Sequence, residues 1–318
     1  MSDGGEGLLE ALGGTPRHTT VTGPLGAPVE AEWRLLELDP DPTAADNIST
    51  AVVEMSRAAG RALMPHPHGD DPVRATTTGV GQLLLAARDA GAARIVIGCG
   101  GSATSDGGWG AYKAVRESPG ALKDIDLVVA SDVTTRFTDA AKLFGSQKGA
   151  APAQIAELTE RLADLATRYE DETGVDVTTV PGAGAAGGLA GGLLALGARI
   201  EPGFDLVDAL VGLTGRLRDA DLVVTGEGHL DPPSFEGKVP GGVLDLARAR
   251  ARVEGGPSRR PLPVLCIAGA ADRALLTSPP DGMEIVSLTY RFGRERARGE
   301  TTALIHQVTA EALARFCP

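Results

Sequence analysis

The residues best placed for chemistry in this chain are a lysine and a few carboxylates, each set in or beside a glycine-rich turn. The first turn, Gly98-Cys-Gly-Gly-Ser-Ala-Thr-Ser-Asp-Gly-Gly108, follows the apolar run Arg94-Ile-Val-Ile97 directly. Glycines such as Gly100 and Gly101 let a backbone approach an anion and aim successive N–H groups at it. Ser102, Thr104 and Ser105 add hydroxyl donors. Asp106 can accept a proton or hold a metal. A strand-to-helix turn with a capping Ser or Asp would look the same.

A second turn, Pro181-Gly-Ala-Gly-Ala-Ala-Gly-Gly188, contains GxGxxG at Gly182, Gly184 and Gly187, after the strand-like Val175-Asp-Val-Thr-Thr-Val180. Phosphates can sit at the start of the helix that follows. Close helix packing is the competing explanation. The acidic residues downstream, Glu201 and Asp205, adjoin Pro202 and Gly203 rather than ending a strand, so the turn fits a nucleotide-sized anion better than NAD. No GxxxxGK[ST] occurs, which excludes a P-loop enzyme.

Lys148 lies in Phe144-Gly-Ser-Gln-Lys-Gly149, a turn ahead of a helix, where it can neutralise a phosphate or simply be a solvated loop lysine. Glu227 and Asp231, in Thr225-Gly-Glu-Gly-His-Leu-Asp231, follow an apolar run and are hard oxygen ligands of the kind magnesium takes. His229 between them reads as a surface or capping residue. His66 and His68 stand too loosely in a Pro-rich loop to make a metal site. Asp3 and Glu6 form a further Gly-flanked acidic pair, at a terminus that would ordinarily be disordered.

Composition narrows the partners. The formal net charge is −12, and Arg and Lys are scattered apart from Arg259–Arg260. A phosphate backbone needs clustered cations, so nucleic acid is not an expected partner. Cys99, Cys266 and Cys317 show no CxxC or metal-type spacing, which argues for a reducing compartment. No basic stretch leads into an apolar run at the N-terminus, and Gly182–Ala198 is Gly/Ala-rich rather than strongly apolar. The expected location is cytoplasmic, with no membrane partner.

These groups need elements to hold them. Arg94–Gly101, Asp126–Asp132, Asp221–Gly228, Val264–Gly269 and Glu284–Thr289 are continuous apolar runs ending in Gly, Asp or Ser, the pattern of strands buried on both faces. Helical stripes lie between them: Val80, Leu83, Leu84 and Ala87; then Ile155, Leu158, Leu162, Leu165 and Tyr169 after Pro152; and finally Leu304, Val308, Ala312 and Leu313 within Thr301–Phe316. Alternating strands and helices predict an α/β fold with a mainly parallel sheet, whose ligands bind beyond the carboxyl ends of the strands. His66–Asp71 and Glu254–Pro263 read as surface loops or linkers.

In order and combination the motifs resemble those of the glycerate kinase family, type I. They are Ser2-Asp-Gly-Gly-Glu-Gly7, Val21-Thr-Gly-Pro-Leu-Gly26, Ala75-Thr-Thr-Thr-Gly-Val-Gly81, Gly98 to Gly108, Ser131-Asp-Val133, Phe144 to Ala150, Pro181 to Gly188 and Thr225 to Asp231. The resemblance implies a Rossmann-like parallel-sheet domain, made of residues 1–30 and 215–318, with a second α/β domain, 31–214, inserted. It also implies ATP-dependent phosphorylation of D-glycerate to 2- or 3-phosphoglycerate, with ATP and Mg2+ required and a homodimer as the one assembly considered. Carried over by position, Asp3, Glu6, Gly100 to Gly108, Lys148 and Glu227 occupy the matching motif positions.

Some positions depart from the family pattern. Members usually carry a strand and a loop reading like APDSFKGS ahead of the first motif, whereas this chain starts at the motif. Ser146 stands for the usual Pro, Ser131 for Cys and His229 for Arg. The expected roles are catalysis by Lys148, Asp106 and Asp132, binding of substrate and nucleotide by Asp3, Glu6, Thr77, Gly100, Gly101, Ser102, Thr104, Gly182 and Gly184, and a metal on Glu227 and Asp231. The rival readings are a catalytically impaired glycerate- or nucleotide-binding relative, and an NAD-dependent oxidoreductase.

Overall fold

Segments of Val, Ile, Leu and Ala that are apolar on both faces are stable only as strands covered from both sides, and they set the layers of this molecule. A computed structural model describes residues 2–36, 48–65, 72–253 and 262–316. The chain divides into two compact units, Met1–Val207 and Asp208–Pro318.

In the first unit, strands β1 (Thr15–Thr22), β2 (Pro28–Leu35), β3 (Thr50–Glu54), β4 (Arg94–Gly98), β5 (Asp126–Ala130) and β6 (Arg199–Glu201) form one sheet in that order. β1, β2 and β3 are antiparallel neighbours, and β3 through β6 are parallel. Every residue of β3 is buried, as are the last four of β4 and of β5.

Among the described residues this unit holds the helices α1 (Leu8–Leu12), α2 (Ser56–Ala59), α3 (Thr78–Asp89), α4 (Trp109–Arg116), α5 (Ala140–Phe144), α6 (Pro152–Thr173) and α7 (Ala185–Leu194). α3 buries the expected stripe of Val80, Leu83, Leu84 and Ala87. α6 starts with Pro152, buries Leu158, Leu162, Leu165 and Tyr169, and ends at Gly174 in the left-handed region. A second cluster built on Phe137, Leu158, Leu162 and Tyr169 packs α6 against α5 and the turn Phe137–Asp139.

The β1–β2 hairpin departs from the sequence expectation. Its strands alternate or are largely exposed, so no continuous apolar run announces them. β1 pairs with β2 residue for residue, from Thr15–Leu35 to Thr22–Pro28. This pairing puts most of residues 1–30 in the first unit, whereas the sequence reading joined them to 215–318. The strand-like Val175–Val180 is instead a turn, because Asp176 Oδ1 accepts from Thr178 N at 2.9 Å and Thr178 Oγ1 at 2.6 Å.

α8 (Gly203–Val211) spans the division. The second unit holds α9 (Leu213–Arg216), α10 (Val239–Val253), α11 (Arg273–Thr277), α12 (Leu288–Phe292), α13 (Arg294–Gly299) and α14 (Thr301–Phe316). Its parallel sheet runs β7 (Val223–Leu230), β8 (Val264–Ala271), β9 (Met283–Ser287). Leu304, Val308 and Ala312 of α14 pack with Leu265 and Ile267 of β8. Leu313, expected on that stripe, is 45 % exposed, one position off the buried face.

No helix among the described residues is long and apolar enough to cross a membrane. His66, His68, Arg259, Arg260 and Cys317, with most of the two expected surface loops, lie outside the described residues.

The contact of α3 with the hairpin tolerates no side chain at Gly79, where a Cβ would fall 2.1 Å from the Thr22 carbonyl oxygen. Gly79→Ala should therefore lower stability by about 1–3 kcal/mol through overpacking, measured by urea unfolding. An unchanged midpoint would contradict this packing.

Candidate active site

The acidic segment at the N-terminus is held across the carboxyl ends of β4 and β5. Cys99 N donates to Gly4 O at 3.0 Å, and a Cβ on Gly4 would lie 2.6 Å from Ala130 O. Gly100 packs on Gly5 and on the backbone of Glu6, and Gly101 on the Glu6 side chain. Asp3 abuts Gly203 at the start of α8, and Gly203 N donates to Asp132 Oδ1 at 2.9 Å. The fold thus gathers Asp3, Glu6, Gly100, Gly101 and Asp132 at one place.

Asp132 Oδ2 is buried and has no hydrogen-bond partner. Burial pushes the Asp132 carboxyl up to about 6; Asp3 and Asp205 add repulsion, and the Gly203 and Phe204 amides act in the opposite sense.

Lys148, only 7 % exposed, stands on the short turn Ser146–Lys148 and reaches the loop that follows β4. Its Nζ donates to the Thr104 carbonyl oxygen at 2.6 Å and forms no ion pair among the described residues. Burial pulls Lys148 down to about 8, while Asp106 acts to raise it and Arg61 to lower it. Thr104 Oγ1 and Ser105 Oγ are buried hydroxyls without partners.

The second glycine-rich turn closes over this spot. Ala186, Gly187 and Gly188 are all left-handed, at φ 53°, 70° and 89°. A Cβ on Gly187 would come within 2.0 Å of Thr104 O and 2.9 Å of Lys148 Nζ. A buried ammonium with unused donors, beside two unpartnered hydroxyls, is a site prepared for an anion.

Other expected residues serve the polypeptide. Asp106 Oδ2 accepts from Thr77 N and Thr77 Oγ1, each at 2.8 Å, and from Gly110 N at 3.2 Å, while Oδ1 accepts from Gly108 N at 3.1 Å. A carboxylate taking four donors is a latch between the starts of α3 and α4, so the expectation that Asp106 acts on a substrate hydroxyl gives way to a structural role. Thr77, fully buried, completes that latch by accepting from Ala111 N at 3.1 Å.

Ser102 forms a bridge with Gly60. Gly182 and Gly184 pack against the backbone of Val133 and Arg136, not against the Lys148 cradle. With no strand ahead of them, they are packing glycines rather than a dinucleotide fingerprint.

The metal pair in the second unit also separates. Asp231 caps the turn Pro232–Phe235, accepting from Ser234 N at 3.1 Å and Ser234 Oγ at 2.9 Å, and those bonds hold its carboxyl below the usual range. Glu227 keeps a buried oxygen, Oε1, without a partner. Four residues of strand put the two backbones roughly 13 Å apart, too far for one ion to take both carboxylates. Among the described residues no group of three His, Cys, Asp or Glu side chains could hold a metal. His229 Nε2 lies 3.3 Å from Asp272 Oδ1, with both side chains well exposed.

Two positioning residues were missed on the sequence. Glu54, 3 % exposed at the end of β3, accepts from Leu9 N at 3.2 Å and Arg57 Nε at 3.1 Å, which anchors α1 behind the acidic segment. The signal was Thr50-Ala-Val-Val-Glu54, a short apolar run ending in an acid. Arg61 ties two loops together: its N donates to Gly101 O at 2.9 Å and its guanidinium to Gln147 O. No motif marks it.

The raised pKa of Asp132 carries a stability consequence. The folded state binds the Asp132 proton more tightly than the unfolded chain, whose aspartates titrate near 3.8. Asp132 therefore costs stability progressively as pH rises from about 4 to about 6, and the cost is constant above that window. Asp132→Asn should gain stability over the wild type across this range in urea unfolding at pH 4.5, 5.5 and 7.5. A pH-independent difference would contradict the assignment.

Known proteins resemble this chain over most of its length. The model of the glycerate kinase family matches residues 1–118 and 114–316. The chain is 38% identical over 283 residues to the glycerate 2-kinase of Escherichia coli (strain K12), covering 78% of this chain and 72% of that protein. It is 38% identical over 305 residues to a glycerate kinase of Halalkalibacterium halodurans, covering 85% and 75%. A crystal structure assigned to glycerate kinase 2 of Salmonella typhimurium LT2 superposes with a TM-score of 0.74 at 33% identity, covering 99% of this chain and 88% of that one. With its fold, its loops and these relatives in agreement, the chain belongs to the glycerate kinase family.

Proposed function

We propose that the chain phosphorylates D-glycerate with ATP, giving 2- or 3-phosphoglycerate and ADP, and that Lys148 is the cation on which the transferred phosphoryl group is neutralised. The observation that carries this reading is the burial of Lys148 without a counter-ion, against two unpartnered hydroxyls.

Phosphoryl transfer asks a protein mainly to position groups and balance charge. A glycerate hydroxyl oxygen forms its bond to the γ-phosphorus as the bond from that phosphorus to the ADP oxygen breaks. Lys148, with Thr104 and Ser105, holds the phosphoryl oxygens. Asp132 takes the hydroxyl proton on its free Oδ2. A carboxyl pushed up to about 6 is ionised at neutral pH yet basic enough for that task.

Magnesium, when bound with the nucleotide, would neutralise phosphate charge. Of the two acids expected to hold it, Asp231 spends its Oδ1 on the Ser234 cap, whereas Glu227, whose buried Oε1 has no partner, is the one that would hold the ion. The unpaired Cys99 and Cys266 support a reducing, cytoplasmic setting.

A coupled ADP-release assay with D-glycerate tests the reading. kcat/KM should fall below about pH 6, as Asp132 gains its proton, and above about pH 8, as Lys148 loses its own. Lys148→Met should cut kcat by about 10²–10³-fold or more with the circular dichroism spectrum unchanged. A near-normal rate would remove Lys148 from the mechanism. Retention of the acid limb in Asp132→Asn would remove Asp132 as the base.

A further inference from the structure

We propose that the first unit carries a second anion site, a pocket of about 370 Å³ between α3, α4 and α6, which takes a small phosphate-bearing molecule. Arg74, Lys113 and Arg161 line it together with the hydroxyls of Thr76 and Thr78. In a chain whose net charge is −12, three cations around one hollow run against the overall field.

The two acids in the lining are engaged elsewhere or solvated. Asp106 has its oxygens occupied by four donors from the polypeptide. Glu117 lies 3.6 Å from Lys113, with side-chain exposures of 69% and 51%, where solvent screens the pair. Arg161 is half-buried and gives two of its N–H donors to Val73 O, which leaves three of the five that a guanidinium carries.

Thr76 Oγ1 and Thr78 Oγ1 are 2.8 Å apart, so one hydroxyl proton satisfies the other oxygen and the second is available to a ligand. The indole of Trp109 adds an apolar wall, held from outside by Arg168, which lies 4.1 Å from its ring centre and is paired to Glu172 at 2.7 Å. The volume falls at the small end of ligand pockets, roughly 300–1,000 Å³, with room for a phosphate on a short carbon body.

This pocket is separate from the Lys148 cradle and shares one wall with it. The Asp106 carboxylate that latches Thr77 and Gly110 behind the pocket also acts electrostatically on Lys148.

Inorganic phosphate is the probe, titrated calorimetrically into the full chain at constant ionic strength. Lys148→Met disables the phosphoryl-transfer cradle with an apolar side chain of similar reach, and should keep one saturable phosphate site. Adding Arg74→Met and Lys113→Met in that background should weaken this site at least tenfold, with circular dichroism and melting temperature unchanged. Adding Arg161→Met should abolish it. The proposal is overturned if Lys148→Met alone binds no phosphate, or if the Arg74 and Lys113 changes leave binding as it was. The ADP-release rate of Lys148→Met judges the catalytic reading independently of either result.

Discussion

A single hydrogen bond, from the Lys148 ammonium to the Thr104 carbonyl oxygen at 2.6 Å, organises the centre of this enzyme. Burying a cation without a counter-ion is unfavourable, and burial is the main reason the lysine is drawn down to about 8. The fold sustains the arrangement with a backbone that few sequences can adopt. Three consecutive left-handed residues, one of them the non-glycine Ala186, press the second glycine-rich turn onto Thr104. A left-handed alanine is itself strained by about 1 kcal/mol or more. Unsatisfied charge and local strain meet at the same point, which is the arrangement the proposed phosphoryl site needs and which stability alone does not explain.

The acidic face depends on a second constraint, the threading of Asp3 to Glu6 past the ends of β4 and β5. Such a segment would fray if left alone. Here Glu54, Arg57 and Arg34 clamp the following helix, with Arg34 donating to Leu9 O at 2.9 Å, and Cys99 fixes Gly4. The resulting crowding of Asp3 on Asp132 helps hold a carboxyl near 6, so the positioning of the terminus and the tuning of the proposed base are one physical event.

Much of the central architecture was legible in the sequence because burial on both faces leaves an unmistakable pattern. β4 and β5 carry almost no exposed residues, and the stripes of α3 and α6 packed as their spacing requires, whereas the equally buried β3, a short run ending in an acid, was passed over. The β1–β2 hairpin was not legible, since its faces are largely exposed. Among site residues, Lys148 and Thr104 meet through a hydrogen bond, while Asp132 lies with Asp3 at the start of α8. Asp106 and Asp231 did not keep their chemical roles, because an acid beside a helix start caps that helix whenever the amides are within reach, and sequence alone does not record that reach. Gly182 and Gly184 show the same ambiguity: a glycine needed for backbone contact and one needed for phosphate contact are the same letter. Glu54 and Arg61 act through tertiary contacts 45 and 86 positions away, which no local motif encodes.

The most direct test of the buried cation is to watch its proton. In protein labelled with 15N at lysine side chains, the Lys148 Nζ resonance, identified by its loss in Lys148→Met, can be followed against pH with and without a non-hydrolysable ATP analogue. The account predicts titration near 8 in the free protein, moving upward when the analogue's phosphates supply the missing negative charge. Titration at the ordinary lysine value, indifferent to the nucleotide, would contradict it.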